Sequence, residues 1–296
     1  MRRLPRNVWR LAAGTVAFAA FAACSDSTSP STTLTQAEAN NVAEVVTTDA
    51  AQLPAGATFN SATGTPFASS LIPGTPAIDA SAASCTPTKT PASPANSDGD
   101  PVPDSVHVDF AGCTFTSSTY TASLSGSIDF VDPTPTVTDR ALRTRYTNFT
   151  RSITNSATNE TRSVKDNGTR AVVGSANALQ FADTMQTDYT FATGATATHI
   201  RKWAASFTAD QAGSIQMGSP LPSGTLTING SSTYTSGTNN YSLSVSTSPP
   251  LHHNASCTVE PRFDAGTLTA SVTKNGTTSN VTIQFTACGQ YTVTRS

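Results

Sequence analysis

The segment 96–104 carries the densest set of side chains suited to binding a metal ion. Its acidic side chains recur at alternate positions among Pro and Gly residues, so a tight loop would turn them inward together. Ca²⁺ takes about six to eight hard oxygen ligands, which such a loop can supply. A solvated acidic turn has the same composition and needs no ion. In chain order, the residues are Asn96, Ser97, Asp98, Gly99, Asp100, Pro101, Val102, Pro103 and Asp104.

This segment resembles the Asp-rich calcium loops of thrombospondin type 3 repeats, whose pattern is D-x-D-G-D-G-x-P-D. It departs from that pattern at its first residue, where Asn replaces an acid, and at its sixth, where Pro replaces a glycine. The resemblance implies a structural calcium site rather than a catalytic one. It assigns as ligands the side chains of Asn96, Asp98, Asp100 and Asp104 and the carbonyl oxygen of Val102.

Basic residues are concentrated in 140–170, directly after an acidic stretch, 96–139, that contains no Lys or Arg. Arg143, Arg145 and Arg151 have the same parity, and residues of one parity share a face of a regular strand. They therefore predict a basic stripe for an anionic glycan or lipid headgroup. The alternative, which we favour, is cross-strand pairing with the acidic stretch, because exposed charges are usually just solvated.

Three further residues of one parity, His199, Arg201 and Trp203, predict either a small recognition patch or a half-buried surface stripe. The sequence contains no G-x-S-x-G elbow, and Glu160 and Glu260 are the only Glu residues after position 105. A paired-carboxylate hydrolase would therefore need Asp pairs that nothing singles out. We expect a protein that is not an enzyme and that needs no cofactor apart from a structural calcium ion.

The chain contains five cysteines, an odd number for an exported protein. Cys85 and Cys113 bracket the acidic loop, and Cys257 and Cys288 flank the final hairpin, so these four predict two disulfides. The other two ways of pairing them stay open, because spacing does not decide connectivity. A zinc site is not expected, because no cysteine has a second one two to four residues away. The fifth cysteine is Cys24.

Cys24 follows a secretory signal over residues 1–23, in which four Arg residues precede a short apolar run. The run ends in Phe21-Ala22-Ala23-Cys24, which resembles the lipobox of bacterial lipoproteins. That resemblance implies cleavage by signal peptidase II before Cys24 and a fatty acyl anchor, such as palmitate, on the new N-terminal cysteine. The alternative is cleavage after Ala20-Phe21-Ala22, which would release a soluble protein.

A lipid on Cys24 would place the protein in the cell envelope, held by the polar tether 24–34. Ser25 favours the outer membrane, by resemblance to the sorting of enteric lipoproteins. The chain has 17 basic and 19 acidic residues, and loss of 1–23 removes four Arg and no acid, which leaves a net charge of −6. Such a charge does not suit nucleic-acid binding. The expected partners are the membrane, through the anchor, and an unidentified protein, glycan or lipid.

Residues 35–51 predict one short helix, because Thr35-Gln36-Ala37-Glu38 has the form of a capping box and small apolar residues follow near one face. That face is narrow and rich in Ala, so the helix is expected to pack lightly on the rest of the protein. Residues 52–104 are rich in Pro, Ser and Thr, which predicts an irregular segment that contains the acidic loop.

Residues 105–296 alternate between apolar and polar side chains, as in strands with one buried and one wet face. This all-β pattern predicts an antiparallel meander that forms a curved sheet or an up-and-down barrel, with a β-sandwich as the alternative. A transmembrane barrel would alternate too, but aromatic residues for its two girdles are scarce. The predicted turns are Asp166-Asn167-Gly168, Asn229-Gly230, Ser236-Gly237 and Lys274-Asn275-Gly276.

These features favour a non-catalytic envelope lipoprotein with a structural, adhesion or binding role. The first alternative is a carrier that holds a hydrophobic ligand inside an open β-barrel, which predicts a large apolar cavity. The second is a hydrolase, which predicts a cleft containing an acid, a base or a nucleophile.

Overall fold

A computed structural model describes residues 33–57, 87–116, 119–216 and 219–296, apart from the side chain of Phe115. The signal sequence, Cys24, Cys85 and most of the predicted tether lie outside the described residues, and so does 58–86 of the predicted irregular segment. All the described residues belong to one unit, Thr32–Ser296.

Helix α1, Gln36–Ala55, begins where the capping box predicts. The Glu38 amide donates to Thr35 Oγ1 over 3.2 Å, and the Thr35 amide donates to Glu38 Oε2 over 2.8 Å. The helix runs four residues past the predicted end at 51. It is also far more buried than predicted, because Val42, Val46 and Leu53 are all 0% exposed. The expectation of light packing was wrong.

The described strands form one antiparallel sheet, which confirms the predicted all-β class with a single helix. Each long strand pairs with its neighbour in the chain, as in a meander. The strands are β1 Thr88–Thr90, β2 Ser105–Asp109, β3 Cys113–Thr116, β4 Tyr120–Val131, β5 Leu142–Asn155, β6 Thr161–Gly174, β7 Ala178–Thr190, β8 Thr196–Ala209, β9 Gly224–Ser236, β10 Asn239–Thr247, β11 Leu251–His253, β12 Phe263–Ala265, β13 Thr267–Lys274, β14 Thr277–Ala287 and β15 Gln290–Arg295.

The sheet is open, with β1 at one end of the hydrogen-bonded order and β15 at the other. Of the predicted forms, the curved sheet is therefore found, and the closed barrel is not. The curvature follows from the helix, because α1 packs against β13, β14 and β15 and also meets Arg170 of β6. Seven strand spacings separate β6 from β15, about 33 Å if the sheet were flat, whereas a helix is only about 10–12 Å wide. The sheet must therefore wrap around α1.

Strand β5 contains a bulge that reverses which face its side chains occupy. Tyr146 pairs with Gly168 and Phe149 pairs with Asp166. Between these two pairs, β5 therefore contains one more residue than β6. Asn148, with φ of 49°, lies at this point. Even-numbered side chains of β5 are buried before the bulge, and odd-numbered ones are buried after it.

Two of the predicted turns lie within strands instead. Asn229-Gly230 belongs to β9 and Asp166-Asn167-Gly168 belongs to β6, whereas the turns at Ser236-Gly237 and Lys274-Asn275-Gly276 join strands as predicted. Gly230 has a packing role, because a Cβ atom there would lie 2.7 Å from Trp203 Cδ1. A glycine inside a strand can mark such a close approach rather than a turn.

Candidate functional site

Four carboxylates converge where two loops meet, and we call them the acidic cluster: Asp98, Asp100, Asp132 and Asp139. One carboxylate oxygen from each of the first three lies within 4.8 Å of the others. Asp100 is 5% exposed and Asp132 is 3% exposed. The cluster therefore places several negative charges close together beneath the surface.

The first loop, between β1 and β2, orients the carboxylates of Asp98 and Asp100 toward the cluster. Asn96 Oδ1 accepts from the Gly99 amide over 2.8 Å, and its Nδ2 donates to the Asp100 carbonyl. Asp98 Oδ1 accepts from the Asp100 amide over 3.0 Å, and Asp100 Oδ1 accepts from the Val102 amide over 2.6 Å. Each Asp thus uses one oxygen to hold the loop, and its Oδ2 is buried without a hydrogen-bond partner among the described residues.

The second loop, between β4 and β5, is built in the same way. Asp132 Oδ1 accepts from the Thr134 amide over 2.8 Å, and Asp139 Oδ2 accepts from Thr134 Oγ1 over 2.9 Å. Asp132 Oδ2 and Asp139 Oδ1 remain buried, and no described residue forms a hydrogen bond with either atom. Thr138 Oγ1 donates to the Asp98 carbonyl over 3.2 Å, which joins the two loops beside the cluster.

The electrostatics of Asp100 reflect this crowding. Burial, and then the negative charges of Asp98, Asp132 and Asp139, raise the pKa of its carboxyl, although the hydrogen bond from Val102 acts in the opposite direction. Like charges in a shared site disfavour ionisation in this way.

The cluster differs from the ligand set that the sequence suggests. Asn96 and Asp104 are committed to shaping the loop, since Asp104 accepts from the Ser97 amide over 2.8 Å and from Ser97 Oγ over 2.6 Å. Asp132 and Asp139 take part instead. The only sequence signal for Asp132 and Asp139 is the run of acidic residues without Lys or Arg in 96–139. That run favours cross-strand pairing with the basic residues that follow it rather than a metal site.

The second group is a buried ionic network that joins α1 to the sheet. Asp49 of α1 lies 2.8 Å from Arg201 Nη1 and 2.5 Å from His199 Nδ1, through its two different oxygens. Tyr189 OH donates to Asp49 Oδ1 over 2.7 Å. The Asp49, His199 and Arg201 side chains are all 0% exposed.

Asp183 of β7 extends the network by binding two guanidinium groups. Its Oδ2 lies 2.6 Å from Arg201 Nε and its Oδ1 lies 2.7 Å from Arg170 Nε. Arg170 Nη1 then donates to the Gln52 carbonyl of α1 over 2.6 Å. The helix is therefore held to the sheet at two points one turn apart, Asp49 and Gln52.

A further ion pair completes the network. Thr187 Oγ1 accepts from Arg201 Nη1 over 2.6 Å and donates to Asp166 Oδ1 over 2.9 Å. Asp166 Oδ2 lies 2.5 Å from Arg151 Nη2. Three carboxylates therefore face three guanidinium groups, which satisfies the requirement that buried charges be paired.

The pKa shifts in the network follow from this pairing. Burial alone would raise the pKa of the Asp49 carboxyl, but Arg201 and His199 outweigh it, so the net shift is downward. Burial and the Asp49 charge raise the pKa of Tyr189 well above its usual value. Asp49 therefore stays ionised and Tyr189 stays neutral in the folded protein.

Asp49 and His199 resemble the acid and base of a hydrolytic site, yet their position prevents that chemistry. Both side chains are enclosed, and within the described ranges His199 Nε2 has no hydrogen-bond partner. The His199 ring packs against Trp203 at a centroid distance of 5.8 Å. In the described part of the chain, His199 is therefore closed off between α1 and the sheet.

Two predictions about shared faces need correction. His199, Arg201 and Trp203 do share a face, but that face is buried, whereas Ile200 between them is 50% exposed. They therefore form neither a surface patch nor a surface stripe.

Arg143, Arg145 and Arg151 do not form one stripe. The bulge in β5 leaves Arg143 and Arg145 exposed on the outer face and turns Arg151 inward to Asp166.

The remaining sequence candidates lie apart from both groups. Cys257 and Cys288 form a disulfide, as the sequence suggests. Cys113 is also disulfide-bonded, and its predicted partner Cys85 lies outside the described residues.

The described residues define an all-β protein in which one antiparallel sheet encloses a single helix. Comparisons with protein-family models, with curated proteins and with solved structures found no match for this chain. Within 33–57 and the other described ranges, no helix combines the length and the hydropathy that crossing a membrane requires.

Proposed function

We propose that this protein is a lipid-anchored component of the cell envelope, acylated on Cys24, whose β domain has a non-catalytic structural, adhesion or binding role. The lipobox and the tether support the anchor. The disulfide between Cys257 and Cys288 supports folding in an oxidising compartment outside the cytoplasm. Its partners are the membrane, through the anchor, and a protein or glycan of the envelope.

The main support for a non-catalytic role is that the ionic network around Asp49 is closed to solvent. A catalytic acid or base must reach its substrate within hydrogen-bonding distance. Asp49 and His199 are both 0% exposed and already paired with each other. Their arrangement suits a structural contact that holds the helix to the sheet, which argues against the hydrolase alternative.

The position of α1 argues against the carrier alternative. A bound hydrophobic molecule needs an apolar cavity of about 300 Å³ or more. The concave face of the sheet, where such a ligand would lie, is covered in the described part of the chain by the buried side chains of α1, including Val42 and Leu53. The helix fills the site that a carrier would keep open.

The outer face of the sheet supports a binding or assembly role. On β9 and β10 it is coated with short, uncharged side chains that can both donate and accept hydrogen bonds. Cross-strand pairs such as Ser231 with Ser244 place these groups side by side. The exposed residues are Thr225, Thr227, Asn229, Ser231, Thr233, Ser242, Ser244 and Ser246.

The anchor is tested by the intact mass of the mature protein after growth with a labelled fatty acid. We expect an N-terminus at Cys24 that carries acyl chains, and loss of the label in the C24S variant. An unlabelled N-terminus at Ala23 would contradict the proposal. Native mass spectrometry of the detergent-extracted protein tests the role of the domain. A stoichiometric, non-covalently bound lipid would support the carrier instead.

A further inference from the structure

We propose that Asp98, Asp100, Asp132 and Asp139 form a binding site for a divalent cation, best matched to Ca²⁺, which ties the β1–β2 loop to the β4–β5 loop. The site is composite, since its ligands come from two segments that are far apart in the chain. The proposal concerns the β domain alone, so it holds or fails independently of the anchor on Cys24.

The spacing of the carboxylate oxygens fits a single calcium ion. Ca²⁺–oxygen distances are about 2.3–2.6 Å, so two ligands on opposite sides of the ion lie about 5 Å apart. Oxygens of Asp98, Asp100 and Asp132 lie within 4.8 Å of one another. One ion placed between them can therefore contact all three with little movement of the loops.

The unpartnered oxygens are an independent indication of a ligand. Asp100 and Asp132 are more than nine-tenths buried, and the Oδ2 atom of each meets no hydrogen-bond donor in the part of the chain that the structure describes. Asp98 Oδ2 and Asp139 Oδ1 are also buried and accept no hydrogen bond from the described residues. Buried carboxylate oxygens are normally paired or bound to a metal, because desolvation without a partner is costly.

The ligand chemistry selects the class of ion. The candidate ligands among the described residues are four carboxylates, with no thiol or imidazole, and such a hard oxygen site suits Ca²⁺ rather than Zn²⁺. Mg²⁺ usually keeps several waters and takes only one or two carboxylates. The loops themselves fix the other oxygen of each Asp, so the site is organised before the ion binds.

The test uses the full-length protein in detergent, stripped with EDTA and then titrated with CaCl₂ in a calorimeter and in thermal unfolding. We expect binding with a dissociation constant of about 10⁻⁴–10⁻³ M, the range of extracellular calcium modules. At saturating Ca²⁺ the unfolding midpoint should rise by several degrees, because the ion binds the folded state only. MgCl₂ at the same concentration should give a smaller rise.

The D132N variant distinguishes this site from a loop formed by 96–104 alone. In EDTA it should be at least as stable as the wild type, since it removes repulsion, and its calcium affinity should be at least about tenfold weaker. D100N should behave in the same way. The matched control is D109N, because Asp109 lies outside the cluster and its hydrogen bond from Ala111 survives as an amide.

Two results would overturn the proposal. One is the absence of any calcium-dependent shift in the wild-type protein up to 10 mM CaCl₂, about ten times the weakest expected constant. The other is an unchanged calcium response in D132N, which would place the ion in the 96–104 loop alone or, if D100N is unchanged as well, elsewhere in the protein.

Discussion

Asp49 of the helix and Arg201 of strand β8 form an ion pair with 2.8 Å between Oδ1 and Nη1, and neither side chain has any exposure to solvent. The pair joins the N-terminal helix to the middle of the sheet. Burying two charges is unfavourable unless each is fully paired. Asp183 and Thr187 supply the other partners of Arg201, so the helix completes a network that the sheet alone would leave unbalanced.

Replacement of Arg201 by Met should destabilise the protein by about 3–5 kcal/mol, because Asp49 and Asp183 would each lose a buried partner. Urea unfolding followed by circular dichroism measures the change. The control is K202M, since Lys202 is the next residue on β8 but is exposed. A loss below about 1 kcal/mol in R201M, the size of an exposed ion pair, would show that the network is not structural.

The adjacent residues His252 and His253 should contribute to stability with opposite dependence on pH. Hydrogen bonding to Asp210, and also to Asp264, raises the pKa of His252, so its contribution is complete below about pH 6.5 and is lost as the pH rises through the folded-state value. Burial lowers the pKa of His253 to about 4. Its contribution is therefore complete above about pH 6.5 and declines as the pH falls toward 4.

The measurement is the free energy of unfolding of H252Q, H253Q and the wild type between pH 7.5 and 4.5. Relative to the wild type, H253Q should lose less stability on acidification from pH 7.5 to 4.5, by about 2–3 kcal/mol. H252Q should lose more, because the opposing contribution has been removed. Parallel curves for the three proteins would disprove this assignment.

Gly126 of β4 is predicted to be intolerant of alanine because of the bulge in β5. Its φ is +82°, and a Cβ atom there would lie 2.1 Å from the Asn148 carbonyl oxygen. Gly194 has a similar φ of +79° but open space around it. G194A should therefore cost only the backbone strain, about 1–2 kcal/mol.

G126A should cost at least about 2 kcal/mol more than G194A, since the contact is with the backbone and the strands must separate to relieve it. Chemical denaturation of both variants gives the difference directly. Equal losses would mean that β4 and β5 adjust at the bulge without cost.

Much of the fold could be predicted because it depends on local patterns. Period-two alternation is dictated by strand geometry, so the long strands and their antiparallel order follow from residues 105–296 alone. The helix start at Thr35 depends on two side chains only three residues apart.

The polar residues of the core were not predictable in the same way. On β8, His199 and Arg201 are buried while Ile200 is exposed, the reverse of what hydropathy indicates. Polar and apolar side chains alternate with the same period of two whichever face of the strand is buried. The pattern alone therefore does not identify the buried face. The polar face of β8 is buried because its charged partner, Asp49, lies on α1.

The sequence by itself therefore determined the antiparallel sheet, the capped helix and the acidic loop, because each is specified by neighbouring residues. Only the tertiary structure decided that the sheet wraps the helix, that Arg151 turns inward and that Asp132 and Asp139 meet Asp98 and Asp100. These outcomes depend on a single-residue bulge and on charges from distant segments that neutralise or crowd one another. No local pattern carries that information.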